Sequence, residues 1–153
     1  MTTLEVLQRS ALFKDFSEAG VRTFAEIAHA KAVPAGSPLF VENMVGESLL
    51  IVKSGTVRIT QRAGEGEREL ATLGAGEHLG ELALLGKTVR LVSAVAATQC
   101  EVLEITQRDF VRLQPQKPQA CLKLALAIAG ALAGKLAENG EALLELVTRK
   151  PGA

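Results

Sequence analysis

Apolar residues change their spacing twice along the chain, and each change marks a different kind of structure. Residues 2–9 and 17–28 carry them at helical intervals. Thr2 or Thr3 is placed to cap a first helix ending near Arg9. Ser17 is placed to cap a second, with Val21, Phe24, Ala25, Ile27 and Ala28 on its apolar face. From Lys31 the texture becomes that of short strands. Pro34-Ala35-Gly36 reads as a turn, Leu39-Phe40-Val41 as a strand and Asn43 to Gly46 as a loop. Ser48 to Lys53 is an unbroken apolar run, the mark of a buried strand. Ser54-Gly55 turns into Thr56–Thr60, whose strict alternation places Val57 and Ile59 inside, Arg58 and Thr60 outside. Ala63 to Glu67 reads as an exposed hairpin loop, Glu69 to Leu73 as a strand, and Gly74-Ala75-Gly76 as a further turn. Val89 to Ala97 and Glu101 to Ile105 are strand-like. Short strands at close spacing, punctuated by glycine turns, predict a β-sandwich or jelly roll.

The last third reverts to a helical period. Thr106 or Asp109 starts a helix carrying Phe110, Val111 and Leu113, and Pro115 and Pro118 end it and open another. One long helix is expected from about Gln119 to Val147. Along it, Leu122, Leu126, Ala129, Ala133, Leu136, Gly140, Leu143 and Val147 recur at alternating steps of four and three, the pattern of a helix-pairing seam. Gly130, Gly134 and Gly140 each cost a helix about 1 kcal/mol against alanine. They suggest a close helix–helix approach or a bend.

Composition narrows the function. The 153 residues suit one domain with an accessory element, divided as 1–118 and 119–153. Lys+Arg and Asp+Glu both number 17, so no net charge favours a broad nucleic-acid or acidic-membrane surface. With no Trp or Tyr, stacking platforms for bases are scarce. Cys100 and Cys121 form no metal-binding or redox motif and read as free thiols of a cytoplasmic protein. The N-terminus carries no signal-peptide pattern, and the apolar stretch Cys121–Leu132 is short for a membrane span and holds Lys123. His29 reads as a helix-surface residue. No nucleophile–base pair, paired acid or metal-ligand set stands out, so neither catalytic chemistry nor a metal or cofactor is expected.

The chemistry concentrates in Gly80-Glu81-Leu82-Ala83-Leu84-Leu85 and, ten residues after its glycine, Arg90. Gly80 permits close backbone approach. The next residues form one helical turn with free N–H groups that can face an anion. Arg90 offers a charge-assisted fork to a phosphate, and Glu81 an acceptor for a sugar hydroxyl. Such a segment can hold a small anion attached to a sugar.

Several stretches, in this order, carry a family resemblance. They are Val33-Pro-Ala-Gly36 with Leu39-Phe40 and Glu42; Gly46 to Ile59; Leu73-Gly-Ala-Gly-Glu77; and Gly80 to Leu84 with Arg90. Over residues 10–148 the chain resembles the cyclic nucleotide-binding domain of the catabolite activator/FNR superfamily and of kinase regulatory subunits. The resemblance implies a double-stranded β-helix (jelly roll) followed by a long C-terminal helix. It also implies that Arg90 pairs with a cyclic phosphate, that the Leu82 and Ala83 N–H groups face its oxygens, and that Glu81 takes the ribose 2′-hydroxyl. His78 falls on the rim, and Lys135 and Asn139 are candidates to cap the purine.

Two positions depart from the family: Val89 replaces a frequent proline, and Leu91 replaces a small or hydroxyl-bearing residue beside the ligand. The implied function is a cAMP-preferring regulatory module, homodimeric through its last helix and without its own DNA-reading or membrane-binding part. The alternatives are a fragment or relative of a catabolite-activator-type transcription regulator, and a domain that has lost tight binding.

Overall fold

The computed structural model describes residues 1–149. Helix α1 (Thr3–Arg9) starts as expected. The Thr2 hydroxyl accepts from Glu5 N–H while the Glu5 carboxylate accepts from Thr2 N–H, a reciprocal cap. A 3-10 turn (Ala11–Phe13) leads to α2 (Glu18–Ala25), capped by Ser17. Helix α2 stops at Ala25, so Ile27 and Ala28 reach the core from the chain beyond it.

His29 is not on a helix. It opens strand β1 (His29–Val33), which pairs with β10 (Cys100–Thr106) in the register His29↔Glu104. These two, with β4 (Ser48–Ser54) and β7 (His78–Leu79), form an antiparallel sheet in the order β1-β10-β4-β7. A second sheet runs β2 (Pro38–Phe40), β9 (Ser93–Ala96), β5 (Val57–Ala63), β6 (Gly66–Leu73). A two-residue ribbon, β3 (Val45–Gly46) with β8 (Thr88–Val89), completes the roll and replaces the loop expected before Gly46. The single strand expected from Val89 to Ala97 is two strands, β8 and β9, with Arg90–Val92 bent between them.

Strand β4 explains its own sequence. Leu49 and Ile51 face a core shared with the helices, while Leu50 and Val52 face the interior of the roll. A strand buried on both faces has no use for alternation. In β5 the alternation fails for a different reason. The pairing with β6 shifts register between Ile59 and Thr60, and both residues are buried, contrary to the outward position expected of Thr60.

Helix α3 (Gln107–Leu113), capped by Thr106, leads to α4 (Pro118–Glu138). The expected unbroken helix ends at Asn139, whose backbone leaves the helical region. Its side chain accepts from Ala142 N–H and caps α5 (Gly140–Thr148). At 21 residues, α4 exceeds the short apolar stretch expected and is, by length and composition alone, long and apolar enough to cross a membrane. Here Cys121, Leu124 and Ile128 lock one face of it into the core formed with Phe13, Phe24 and Phe110. The seam faces elsewhere. Leu122 and Leu126 are about three-fifths exposed, and added Cβ atoms at Gly130, Gly134 and Gly140 would meet only open space.

Candidate functional site

Residues 78–92 wrap one mouth of the roll. Gly80 takes the left-handed conformation (φ 73°) between β7 and a 3-10 turn (Glu81–Leu84). Its Ser48-facing side has no room for a side chain: a Cβ there would run into the Arg90 guanidinium. The Ala83 N–H closes the turn onto the Gly80 carbonyl at 3.2 Å, so this donor is engaged within the protein.

Arg90 sits in the bend after β8. Its main chain is tied to the opposite loop, with Arg90 N donating to Met44 O at 2.7 Å and Asn43 N donating to Arg90 O at 2.8 Å. Asn43 is the one non-glycine with positive φ among the described residues. The Arg90 side chain turns inward and is 8% exposed, the only charged residue buried among those described. Nη2 donates to Ser48 O at 2.9 Å and Nη1 to Gly80 O at 3.2 Å, and the guanidinium lies 4.1 Å from the centre of the Phe40 ring. Burial pulls the guanidinium below its usual value, and Glu104, Glu81 and Glu47 push the other way. It keeps its charge at neutral pH, as arginine does in proteins.

A cavity of about 390 Å³ opens beside this group. Gly80, Glu81, Leu82, Ala83, Arg90 and Leu91 all line it, so the fold brings together every site residue expected from the sequence. Their exposures differ: Ala83 is buried and Leu91 is 65% exposed at the mouth. The apolar wall comes from Ile59, Leu73 and Leu79, and α4 contributes Leu132 and Lys135. Lys135 thus reaches the site, with Nζ 3.8 Å from Glu81 Oε1, whereas Asn139 serves as the α5 cap. His78 lies between two spaces. Its Nε2 is 4.0 Å from Glu81 Oε1, and burial holds the imidazole below its ordinary 6.5 against the pull of Glu81. A larger depression of about 550 Å³ lies on its other side, between residues 11–16 and α4, and has no buried charge.

The sequence places Phe40 and Ser48 on strands and in the motifs of the resemblance but gives neither a role at the site. Their contact with Arg90 depends on the pairing of strands far apart in sequence. The lone Phe outside the helical core was the available signal: Phe13, Phe16, Phe24 and Phe110 cluster there with ring centres 5.0 to 6.4 Å apart. Elsewhere, His29 Nε2 meets Asp109 Oδ2 at 2.9 Å, and this hydrogen bond holds the Asp109 carboxyl below its ordinary value. Among the described residues, no group of His, Cys, Asp and Glu could hold a metal ion.

Residues 30–116 match the family model of the cyclic nucleotide-binding domain. The cyclic AMP receptor protein of Thermus thermophilus is 33% identical over 124 residues, which cover 80% of this chain and 57% of that protein. A CRP-like cAMP-activated global transcriptional regulator of Mycobacterium tuberculosis is 26% identical over 97% of this chain and 65% of its own. The chain therefore spans less than two thirds of either relative. Among solved structures, the N-terminal domain of a transcriptional regulator from Streptomyces coelicolor superposes with a TM-score of 0.77 at 26% identity, covering 85% of this chain and 94% of that one. The regulatory domain of Toxoplasma gondii PKA, solved with cAMP, gives 0.67 at 28% identity over 72% of this chain and 42% of that one. With its fold shared and residues 30–116 matched, this chain belongs to the cyclic nucleotide-binding domain family.

Proposed function

We propose that the cavity beside Arg90 binds a cyclic mononucleotide, with cAMP preferred over cGMP, and that the chain is the ligand-sensing part of a regulator with no catalytic step of its own. One observation carries this reading: a buried arginine lines a cavity that also holds a carboxylate, Glu81. Burying a guanidinium is costly unless it is partnered, and this one retains three N–H groups beyond the two given to Ser48 and Gly80. A cyclic phosphate is an anion of suitable size, and Glu81 then faces the ribose hydroxyl. Leu82, Ala83 and Gly80 supply the close backbone wall. Leu91, which has no hydroxyl to offer a guanine, supports the adenine preference.

Residues 1–118 form the binding unit and 119–153 the output segment, whose last residues lie outside those described. The exposed seam of α4 supports a homodimer in which two such helices pair. Lys135 touching Glu81 gives the ligand a direct path to that helix. Calorimetric titration of the wild type and Arg90→Ala with cAMP and cGMP tests the site. Loss of the buried cation is expected to weaken cAMP by about 1.5–3 kcal/mol, ten- to a hundredfold. Equal affinity in both proteins would place the phosphate elsewhere, and tighter cGMP binding would reverse the preference.

A further inference from the structure

Arg90 is held by more than its two carbonyl partners. The Arg90 Cζ lies over the Phe40 ring, 4.1 Å from its centre. A Cβ built on Gly46 would stand 3.1–3.2 Å from Nη1, Cζ and Nε together, which puts the Gly46 backbone over the guanidinium plane. The ring and the Gly46 backbone thus both pack against the guanidinium. Both walls come from outside the Gly80–Arg90 segment: Phe40 from β2, anchored to β9, and Gly46 from β3, paired with β8.

Packing by Phe40 and Gly46 restricts the group, and the carbonyls of Ser48 and Gly80 take two of its five N–H groups. Only one edge of the fork can face the cavity. An arginine side chain ordinarily has many rotamers to lose on binding, and a stacked one has already lost them. We infer that Phe40 is a positioning residue for ligand recognition: by packing against Arg90 it fixes which edge of the guanidinium meets the phosphate, and so which exocyclic phosphate oxygen is read. The inference rests on Arg90 being the phosphate-binding group.

The test uses Phe40→Leu and Phe40→Met, which keep an apolar filling, Phe40→Tyr, which keeps the ring, and Arg90→Ala as reference. Each is titrated with cAMP and with its Sp and Rp phosphorothioates, which place sulfur on one exocyclic position or the other. Removing the ring is expected to weaken cAMP about five- to thirtyfold, the range of a desolvated cation–π contact. It is also expected to bring the Sp and Rp affinities toward equality, while Phe40→Tyr restores both. In the unliganded wild type the Arg90 Nε–H proton should resonate upfield under the ring current and return downfield in Phe40→Leu. Ring removal that leaves cAMP within twofold, or that weakens both diastereomers equally while lowering thermal stability, overturns the inference. If Arg90→Ala loses binding and Phe40→Leu does not, the inference about Phe40 falls alone. If Arg90→Ala binds like wild type, the reading of Arg90 falls and takes this one with it.

Discussion

Arg90 and Leu126 invert the usual order of things. The arginine is 8% exposed and the leucine is 62% exposed. Around Arg90, which sits in the bend after β8, the chain returns from four directions: β2, β3, β4 and the turn after β7. Each brings a backbone carbonyl, a ring or a bare glycine to the same cation. Along α4, tertiary neighbours exist on one side only. Leu124, two residues before Leu126, has none of its surface exposed, while Leu126 looks outward. Burial is assigned by what the rest of the fold brings to a position, and the polarity of a residue only sets the cost. A buried charge with partners signals a site, and an uncovered apolar stripe signals a missing surface.

The sharpest way to break this comparison is within α4 itself. Leu124→Ala should lower unfolding free energy by about 2–5 kcal/mol, as a core cavity does. Leu126→Ala should stay within about 0.5 kcal/mol at concentrations where the protein is monomeric. Chemical denaturation of both variants decides it; equal losses would mean that the outer face is already covered.

A second pair probes the Arg90 side. Gly80→Ala should cost about 1–2 kcal/mol for its left-handed backbone, and more because the new methyl displaces the guanidinium. Gly64→Ala has a similar φ of 62° but open space around it, so only the backbone cost applies. Ligand titration should show affinity lost in the first and kept in the second.

On the seam, Leu136→Glu sets two like charges at the proposed helix pair and should shift the protein toward monomer in light scattering. A wild type that is already monomeric at high micromolar concentration would remove the dimer.

The smallest effect concerns pH. His78 is held below its ordinary 6.5 by burial, so the unfolded chain takes up this proton first. Stability should therefore fall as pH drops below about 6.5 and stay flat above. Asp109, whose carboxyl is held low by His29, gives up its contribution only in the separate range around and below 3.8. His78→Gln should flatten the first limb in thermal unfolding and leave the second.

What could be read from the chain was local or carried by one compact motif. The caps are short-range hydrogen bonds: Ser17 forms as expected, and of the alternatives Thr2 or Thr3 and Thr106 or Asp109 the structure takes Thr2 and Thr106. Gly36, Gly55, Gly76 and Gly80 all adopt positive φ, and the turns expected at the first three formed. Gly80 to Arg90 is a compact segment, and with the family resemblance, which added Leu91, it named the six site residues that the fold sets around one cavity. Sequence determined these because each depends on neighbours a few positions away.

The tertiary structure decided the rest. His29 became a strand residue because β10, more than seventy positions later, offered an edge to pair with. Thr60 went inside because β6 shifts register against it. The long helix broke where Asn139 could cap a new one, an option its helical period did not reveal. Above all, the chain did not say which face of α4 the roll would cover. Cys121, Leu124 and Ile128 won that contact over Leu122 and Leu126, since both stripes are apolar and only the shape of the core chooses between them.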